Sequence, residues 1–350
     1  MKYHLFSIVI LTSLFFACST KKEMVNFAPK TAANDQLPSH FNLAFGSCNK
    51  HNEPNDLWDD ILVSKPDVWI WGGDIIYSDT YNMKKLRRLY NKQNKVAGYA
   101  ALKSKVPVIG TWDDHDYGVN DSGTDYSKKK ESQEELLNFL GVPEDSPRRK
   151  QEGIYTSHDY KTPKGSLKIL VLDTRYFRTS LTPSKVIGKR YEADKEKDAT
   201  ILGVQQWKWL ENELTNSEAD FNVIVSSIQV LSSEHGFETW GNFPEETKKL
   251  LEVLVTSKAK GVIILSGDRH ISEFSRIDLE GLNYPLVDFT SSGLTHSYDG
   301  FNVEPNSYRI GSVVSNKSFG LLRFNFETKK VHMQIKGDNG TILQELEQTY

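Results

Sequence analysis

Apolar residues in this 350-residue chain come largely as short continuous runs, not in the strict alternation of a half-solvated sheet. Phe41 to Phe45, Val68 to Trp71, Val106 to Thr111, Leu167 to Leu172, Asn222 to Ser226 and Val262 to Leu265 are such runs. Bounded by helical spacing, they predict strands covered on both faces. Helices are predicted over Asp56 to Val63, Lys84 to Lys105, Val204 to Leu214 and Glu245 to Ser257. After Leu265 the helical spacing stops. Phe274 to Ile277, Pro285 to Thr290, Arg309 to Val314, Gly320 to Phe326, Lys330 to Ile335 and Thr341 to Leu346 read as strands, several joined by Gly or Asn turns. The expected class is α/β with an antiparallel-rich C-terminal third, two packed sheets flanked by helices. Tyr117 to Lys130 and Arg178 to Thr200 lack apolar periodicity and are expected to be surface loops of the kind that serve as lids.

The first residues carry a different signature. Lys2 precedes a nearly unbroken apolar run from Leu5 to Phe16, shorter than the about 20 residues a membrane-spanning helix needs. A cleaved signal peptide over 1–17 is therefore expected. Phe15-Phe16-Ala17-Cys18 resembles the bacterial lipobox, which implies that Cys18 is acylated and becomes the first mature residue. That resemblance predicts an exported protein, lipid-anchored to a bacterial membrane and facing the periplasm or the cell surface; an ordinary signal peptide with an incidental Cys is the alternative. The polar stretch over 18–40 then reads as a flexible tether, leaving 41–350 as one domain, a size that can bury one large core.

Composition narrows the function. The formal net charge is −3, and without a dominant basic block no nucleic-acid partner is expected, nor any membrane contact except through the lipid anchor. Cys18 and Cys48 are the only cysteines. With Cys18 lipidated, Cys48 has no partner within the chain, whereas exported proteins normally pair their cysteines or lose them. Burial or metal ligation is the expected reason for Cys48.

Ligand-capable residues fall where the strands end. Cys48, Asp74, Asp114, Gln229, and Asp268 with His270, each lie at or just beyond the carboxyl end of a predicted buried strand, where open α/β sheets carry their sites. Carboxylate, imidazole, phenolate and thiolate groups together can hold two adjacent cations, an arrangement suited to in-line displacement at phosphorus. In Gly73-Asp74-Ile75-Ile76-Tyr77 the two oxygens of Asp74 could bridge two metals and Tyr77 could add a phenolate; a strand end followed by a core Tyr is the plain alternative. Asp113-Asp114-His115-Asp116 sets ionisable groups side by side after a buried strand, where like charges repel unless a cation sits among them; a solvated turn is the alternative. Asp268 and His270, at i and i+2 of an extended segment, point to one side, unless His270 is only structural. The Gln229 carbonyl could complete a second ion's coordination, or could simply be bonded to backbone.

In this order, the blocks resemble the calcineurin-like metallophosphoesterase superfamily and, within it, the alkaline phosphatase D (PhoD-like) group. Gly46-Ser47-Cys48, Gly73-Asp74-Ile75-Ile76-Tyr77, Asp113-Asp114-His115-Asp116, Ser226-Ser227-Ile228-Gln229 and Gly267-Asp268-Arg269-His270 stand at the superfamily's five ordered blocks, with substitutions similar to those of that group. The resemblance covers about Asn42 to Gly293 and implies a four-layer αββα sandwich of two mixed sheets. It implies Cys48, Asp74, Tyr77 and His270 as a ferric-iron site, and Asp74, Asp114 and Asp268, with Gln229, as a calcium-type site. It implies catalytic roles for Asp74 and for His115, which contacts phosphate and protonates the leaving alkoxide. Asp173-Thr174-Arg175 resembles a segment in which Arg clamps phosphate, giving Arg175 a substrate role, and Trp240-Gly241-Asn242-Phe243-Pro244 resembles a substrate-side loop through Trp240. Larger members carry an N-terminal β-sandwich before the first block and a C-terminal capping helix, neither of which is read here, so a more open site is expected. The implied activity is metal-dependent hydrolysis of small phosphate monoesters. A phosphodiesterase or phospholipase C-like hydrolase is the alternative among enzymes, and a non-catalytic metal- or ligand-binding surface lipoprotein the alternative outside them.

Overall fold

In the computed structural model of the chain, residues 40–196, 198–298 and 304–350 are described. The segment expected to be a signal peptide, most of the expected tether and Cys18 lie outside them. The first six-stranded sheet contains β1 (His40–Gly46), β2 (Val68–Gly72), β3 (Val108–Thr111), β13 (Phe319–Asn325), β14 (Lys330–Lys336) and β15 (Ile342–Thr349), in the order β15-β14-β13-β1-β2-β3. The second has seven strands: β4 (Thr156–Thr162), β5 (Gly165–Val171), β8 (Phe221–Val225), β9 (Val262–Ser266), β10 (Ser272–Ile277), β11 (Leu286–Ser291) and β12 (Arg309–Val314), in the order β12-β10-β11-β9-β8-β5-β4. A short hairpin pairs β6 (Thr182–Pro183) with β7 (Tyr191–Glu192). Both sheets are mixed. β1, β2 and β3 run parallel, as do β5, β8, β9 and β11, with antiparallel strands added at the edges.

The continuous apolar runs are explained by strands that face two cores at once. In β2, Val68 and Ile70 pack between the sheets while Trp69 and Trp71 face the helices on the outer side. In β9, Ile263 and Leu265 join the central core, and Val262 and Ile264 face the opposite helical layer. The helices α1 (Trp58–Val63), α2 (Met83–Gln93), α3 (Ala97–Lys103) and α5 (Lys129–Leu140) contribute to the layer over the first sheet. α6 (Gly203–Thr215) and α7 (Pro244–Thr256) cover the second. The four layers are therefore helix, sheet, sheet, helix, as expected.

Three local departures have physical causes. The helix expected over Lys84 to Lys105 is two helices, because Val96 is extended (ψ 119°) and redirects the chain into α3. There Gly98 lies so near α1 that a Cβ on it would sit 2.5 Å from the Cβ of Trp58. The loop after Tyr117 closes into α5 at Lys129, a helix held by Leu136, Leu137 and Phe139, all buried. β4 pairs antiparallel with β5 through the polar run Thr156–Thr162, the kind of charged edge that discourages further strand addition.

Candidate metal centre

Cys48 follows β1, Asp74 follows β2, Asp114 opens the four-residue helix α4 (Asp114–Tyr117) after β3, and Asp268 and His270 follow β9. These ends share one rim, and the approach is close. A Cβ on Gly267 would stand 2.5 Å from Ser47 Oγ and 2.9 Å from the carbonyl oxygen of Gly72, so only glycine lets the two sheets meet there. The backbone is strained at the same places. Cys48 (φ 58°), Asp74 (φ 50°), Asp268 (φ 69°) and His270 (φ 55°) are all in the left-handed region, each at a cost of about 1–3 kcal/mol. Strain gathered on one cluster marks a position that the surrounding fold enforces.

Asp116 supplies much of that enforcement. Its Oδ1 accepts from the amides of Asp113 (2.7 Å) and Asp74 (3.2 Å), and its Oδ2 from the amide of Ile75 (3.2 Å) and the hydroxyl of Tyr90 (3.4 Å). Ser78 donates from its amide (3.0 Å) and its hydroxyl (2.7 Å) to the carbonyl of His115. The loops after β2 and β3 are thus fastened to each other, which fixes Asp74 against Asp114.

The predicted ligands come together. Cys48 Sγ is 3.5 Å from Asp74 Oδ2, and the Tyr77 hydroxyl is 3.0 Å from the same oxygen and 3.1 Å from His270 Nε2. Cys48, Asp74 and His270 form one group whose ligand atoms lie within 4.8 Å of one another; Asp74, Asp114 and His115 form a second, and Asp113, Asp114 and Asp268 a third. Asp74 Oδ1 and Asp113 Oδ2 are buried without a hydrogen-bond partner. Buried carboxylate oxygens are normally satisfied, so the donor set fits cations seated among these groups. Electrostatics agree. Burial first, with neighbouring acids adding to it and His115 opposing it at Asp74, pushes the Cys48 thiol, the Tyr77 phenol and the Asp74 and Asp268 carboxyls well above their usual ranges. Burial, aided by Arg269, lowers His270 to about 4 and keeps its imidazole neutral. Groups held in this way exchange protons for metal when a cation enters.

His115 is arranged differently. Its Nδ1 lies 2.9 Å from both oxygens of Asp79, and its ring packs 4.3 Å from that of Tyr77. Burial works to lower its proton affinity, but Asp79, Asp74 and Asp114 prevail and raise it to about 11. With Nδ1 bonded to Asp79, Nε2 is the nitrogen left for a substrate.

Gln229 is fixed by its amide, which donates to Glu273 Oε1 (2.8 Å) and Thr290 Oγ1 (2.9 Å), while its buried Oε1 has no partner. The substrate roles expected of Arg175 and Trp240 do not match where these side chains lie. Arg175 is wholly buried. Its Nε donates to Asp113 Oδ1 (2.7 Å) and its Nη1 to Glu238 Oε2 (2.6 Å), and Arg178 Nε lies 2.8 Å from Glu238 Oε1. The guanidinium is taken up in an internal ion network behind the cluster, because Glu238, distant in sequence, folds over it. From there Arg175 does electrostatic work: although burial favours the neutral acid, Arg175 and His115 with two backbone amides draw Asp114 below the usual carboxylate range. Trp240 is equally buried, in the core beside Trp207, with its indole nitrogen donating to Ser226 Oγ at 3.0 Å; it anchors a loop from within.

His296 was not anticipated. Its Nε2 is 3.2 Å from the Tyr77 hydroxyl and its ring centroid 4.4 Å from that of His270. Burial, followed by His270 and Lys50, lowers it to about 3. The signal was present, since His296 stands in a Ser/Gly-rich turn after a predicted strand that ends on the same rim. Asp79 and Glu238 lie in loops whose sequence carries no comparable sign.

With this geometry in hand, the comparisons with known proteins are specific. The model of the PhoD-like phosphatase family matches residues 43–338. Alkaline phosphatase D of Bacillus subtilis (strain 168) is 23% identical over 313 residues, covering 77% of this chain and 53% of the relative, so the chain spans about half the length of that protein. Among solved structures, PhoD superposes with a TM-score of 0.71 at 15% identity, over 91% of this chain and 70% of its own. A dimetal phosphatase from Danio rerio superposes with a TM-score of 0.54 at 16% identity, over 89% of this chain and 99% of its own.

Proposed function

The chain belongs to the PhoD-like phosphatase family, and from that premise we propose that it is a metal-dependent phosphoric ester hydrolase that releases inorganic phosphate from small phosphate monoesters. The observation that carries this reading is Asp74. One oxygen meets Cys48 and Tyr77 while the other is buried without a partner, and the residue belongs to two of the ligand groups. Such a carboxylate is suited to bridge two cations.

Cys48, Asp74, Tyr77 and His270 combine thiolate, carboxylate, phenolate and imidazole, a set we assign to ferric iron. Asp74, Asp114, Asp268 and the Gln229 carbonyl are all-oxygen donors, suited to calcium or another hard divalent ion. Bound there, the ions would supply Lewis acidity to the phosphoryl group and activate water at neutral pH. The chain's own residues do the rest. Asp79 holds the imidazole of His115 by Nδ1, so that Nε2 carries the proton given to the leaving alkoxide. Arg175 keeps Asp114 anionic from behind. The same reading takes 41–350 as the catalytic domain of an exported lipoprotein, with a signal over 1–17, acylated Cys18 and a tether to residue 40; the apolar run from Leu5 to Phe16 supports it.

Initial rates on p-nitrophenyl phosphate and bis-p-nitrophenyl phosphate, with inorganic phosphate assayed as product, test the proposal. Faster turnover of the monoester, abolished in Asp74→Ala, is expected. A metal-loaded protein that cleaves only the diester would make it a phosphodiesterase, and one that turns over neither would be a binding protein.

A further inference from the structure

The hairpin between β6 and β7 ends in a feature that folding does not require. Val186 to Lys189 form a tight turn, closed by the Lys189 amide donating to the Val186 carbonyl at 3.1 Å, with Gly188 at φ 88° in its third position. Turn tips of this kind are normally polar. Here the tip carries Val186, 56% exposed, and Ile187, 101% exposed. An aliphatic side chain at full exposure adds nothing to the core. Lys185 and Lys189 flank it, both exposed, and neither forms an ion pair among the described residues. An apolar tip between free cations has the chemistry of an interfacial membrane contact, in which aliphatic groups enter the acyl boundary and lysines meet anionic headgroups.

The base of the hairpin is tied to the metal cluster. The amides of Arg190 and Tyr191 donate to the Gly236 carbonyl (2.7 and 2.9 Å), and the Tyr191 hydroxyl donates to Asp121 Oδ2 at 2.6 Å. The Asp121 amide in turn donates to Asp114 Oδ2 at 2.6 Å. A surface gripped by the tip is therefore held at a fixed distance from the candidate metal centre. We propose that this hairpin is a docking element for an anionic lipid surface, acting beside any N-terminal anchor and outside the sequence-based expectation that membrane contact comes through lipid alone.

Co-sedimentation of the chain lacking the apolar segment 1–17 with vesicles tests this, every variant being compared in the same Cys18→Ser background so that neither that segment nor an acyl group contributes. Vesicles of phosphatidylcholine with phosphatidylglycerol should bind the parent chain better than phosphatidylcholine alone, and added salt should weaken the binding. Ile187→Ser with Val186→Ser should reduce binding by about tenfold or more, and Lys185→Gln or Lys189→Gln by about fivefold each. Hydrolysis of p-nitrophenyl phosphate should not change in these variants. Equal binding to both vesicle types, or undiminished binding after the Val186 and Ile187 replacements, overturns the proposal. So does loss that follows instead from replacing Lys84, Arg88 and Lys92 on the basic face of α2. Binding is read without turnover, so its failure is distinct from failure of the hydrolase reading.

Discussion

Replacing Arg175 by Ala separates the two roles that its position permits. In the internal network, Arg175 neutralises Asp113 and Glu238, both buried. Removing one partner of a buried ion pair typically costs about 3–5 kcal/mol, because the remaining charge is left uncompensated. Two contacts soften the loss here: Ser227 still donates to Asp113 Oδ1 at 2.6 Å, and Arg178 still lies 2.8 Å from Glu238. The lower end, about 3 kcal/mol, is therefore expected, which for a domain of this size lowers Tm by about 5 °C. Thermal unfolding of metal-loaded protein should show that drop, while KM for p-nitrophenyl phosphate and inhibition by inorganic phosphate stay within about twofold. Adding Glu238→Gln should cost less than the sum of the single changes, since the two groups share one network. An unchanged Tm together with a tenfold or greater rise in KM and in the phosphate inhibition constant would refute the reasoning and make Arg175 a substrate clamp.

Other positions test separate parts of the account. In Gly73→Ala the new Cβ would stand 2.5 Å from the Asp113 Cβ at a φ of 96°, so a loss of about 2 kcal/mol or more and reduced metal content are expected in denaturation and elemental analysis; normal values for both would show that the turn can relax. Trp240→Ala should cost about 3–5 kcal/mol as a core deletion with KM unchanged, and a raised KM at unchanged stability would return it to the substrate side. Asp79→Asn should keep its metal and slow alkyl phosphates more than p-nitrophenyl phosphate, since a poor leaving group would depend most on the proton proposed to come from His115; an equal loss on both would remove the orienting role.

The strands were legible where burial was two-sided. β2 and β9 face a core on each side, so their sequences are apolar throughout and their ends could be located closely. β4 was not legible, because an edge strand that buries His158 and Tyr160 between Thr, Ser, Asp and Lys has too little apolar content to declare its period. α5 begins in Lys-Lys-Glu-Ser-Gln-Glu, a stretch that owes its helicity to the packing of Leu136, Leu137 and Phe139 behind it. The candidate ligand residues could be placed on one rim because they sit at strand ends, a position that sequence does fix. Arg175 and Trp240 could not be read, because their roles depend on which way each side chain turns. For Arg175 that is decided by Glu238, 63 residues away.

Asp74 is the proposed bridge between two cations in one site. Elemental analysis of the purified, desalted protein is the decisive test. About two metal ions per chain, iron among them, are expected, with both reduced in Asp74→Ala while the variant keeps its fold by circular dichroism. A folded Asp74→Ala protein that retains the parent metal content, or a parent chain that holds no metal after exposure to iron and calcium, would contradict the proposed bridge.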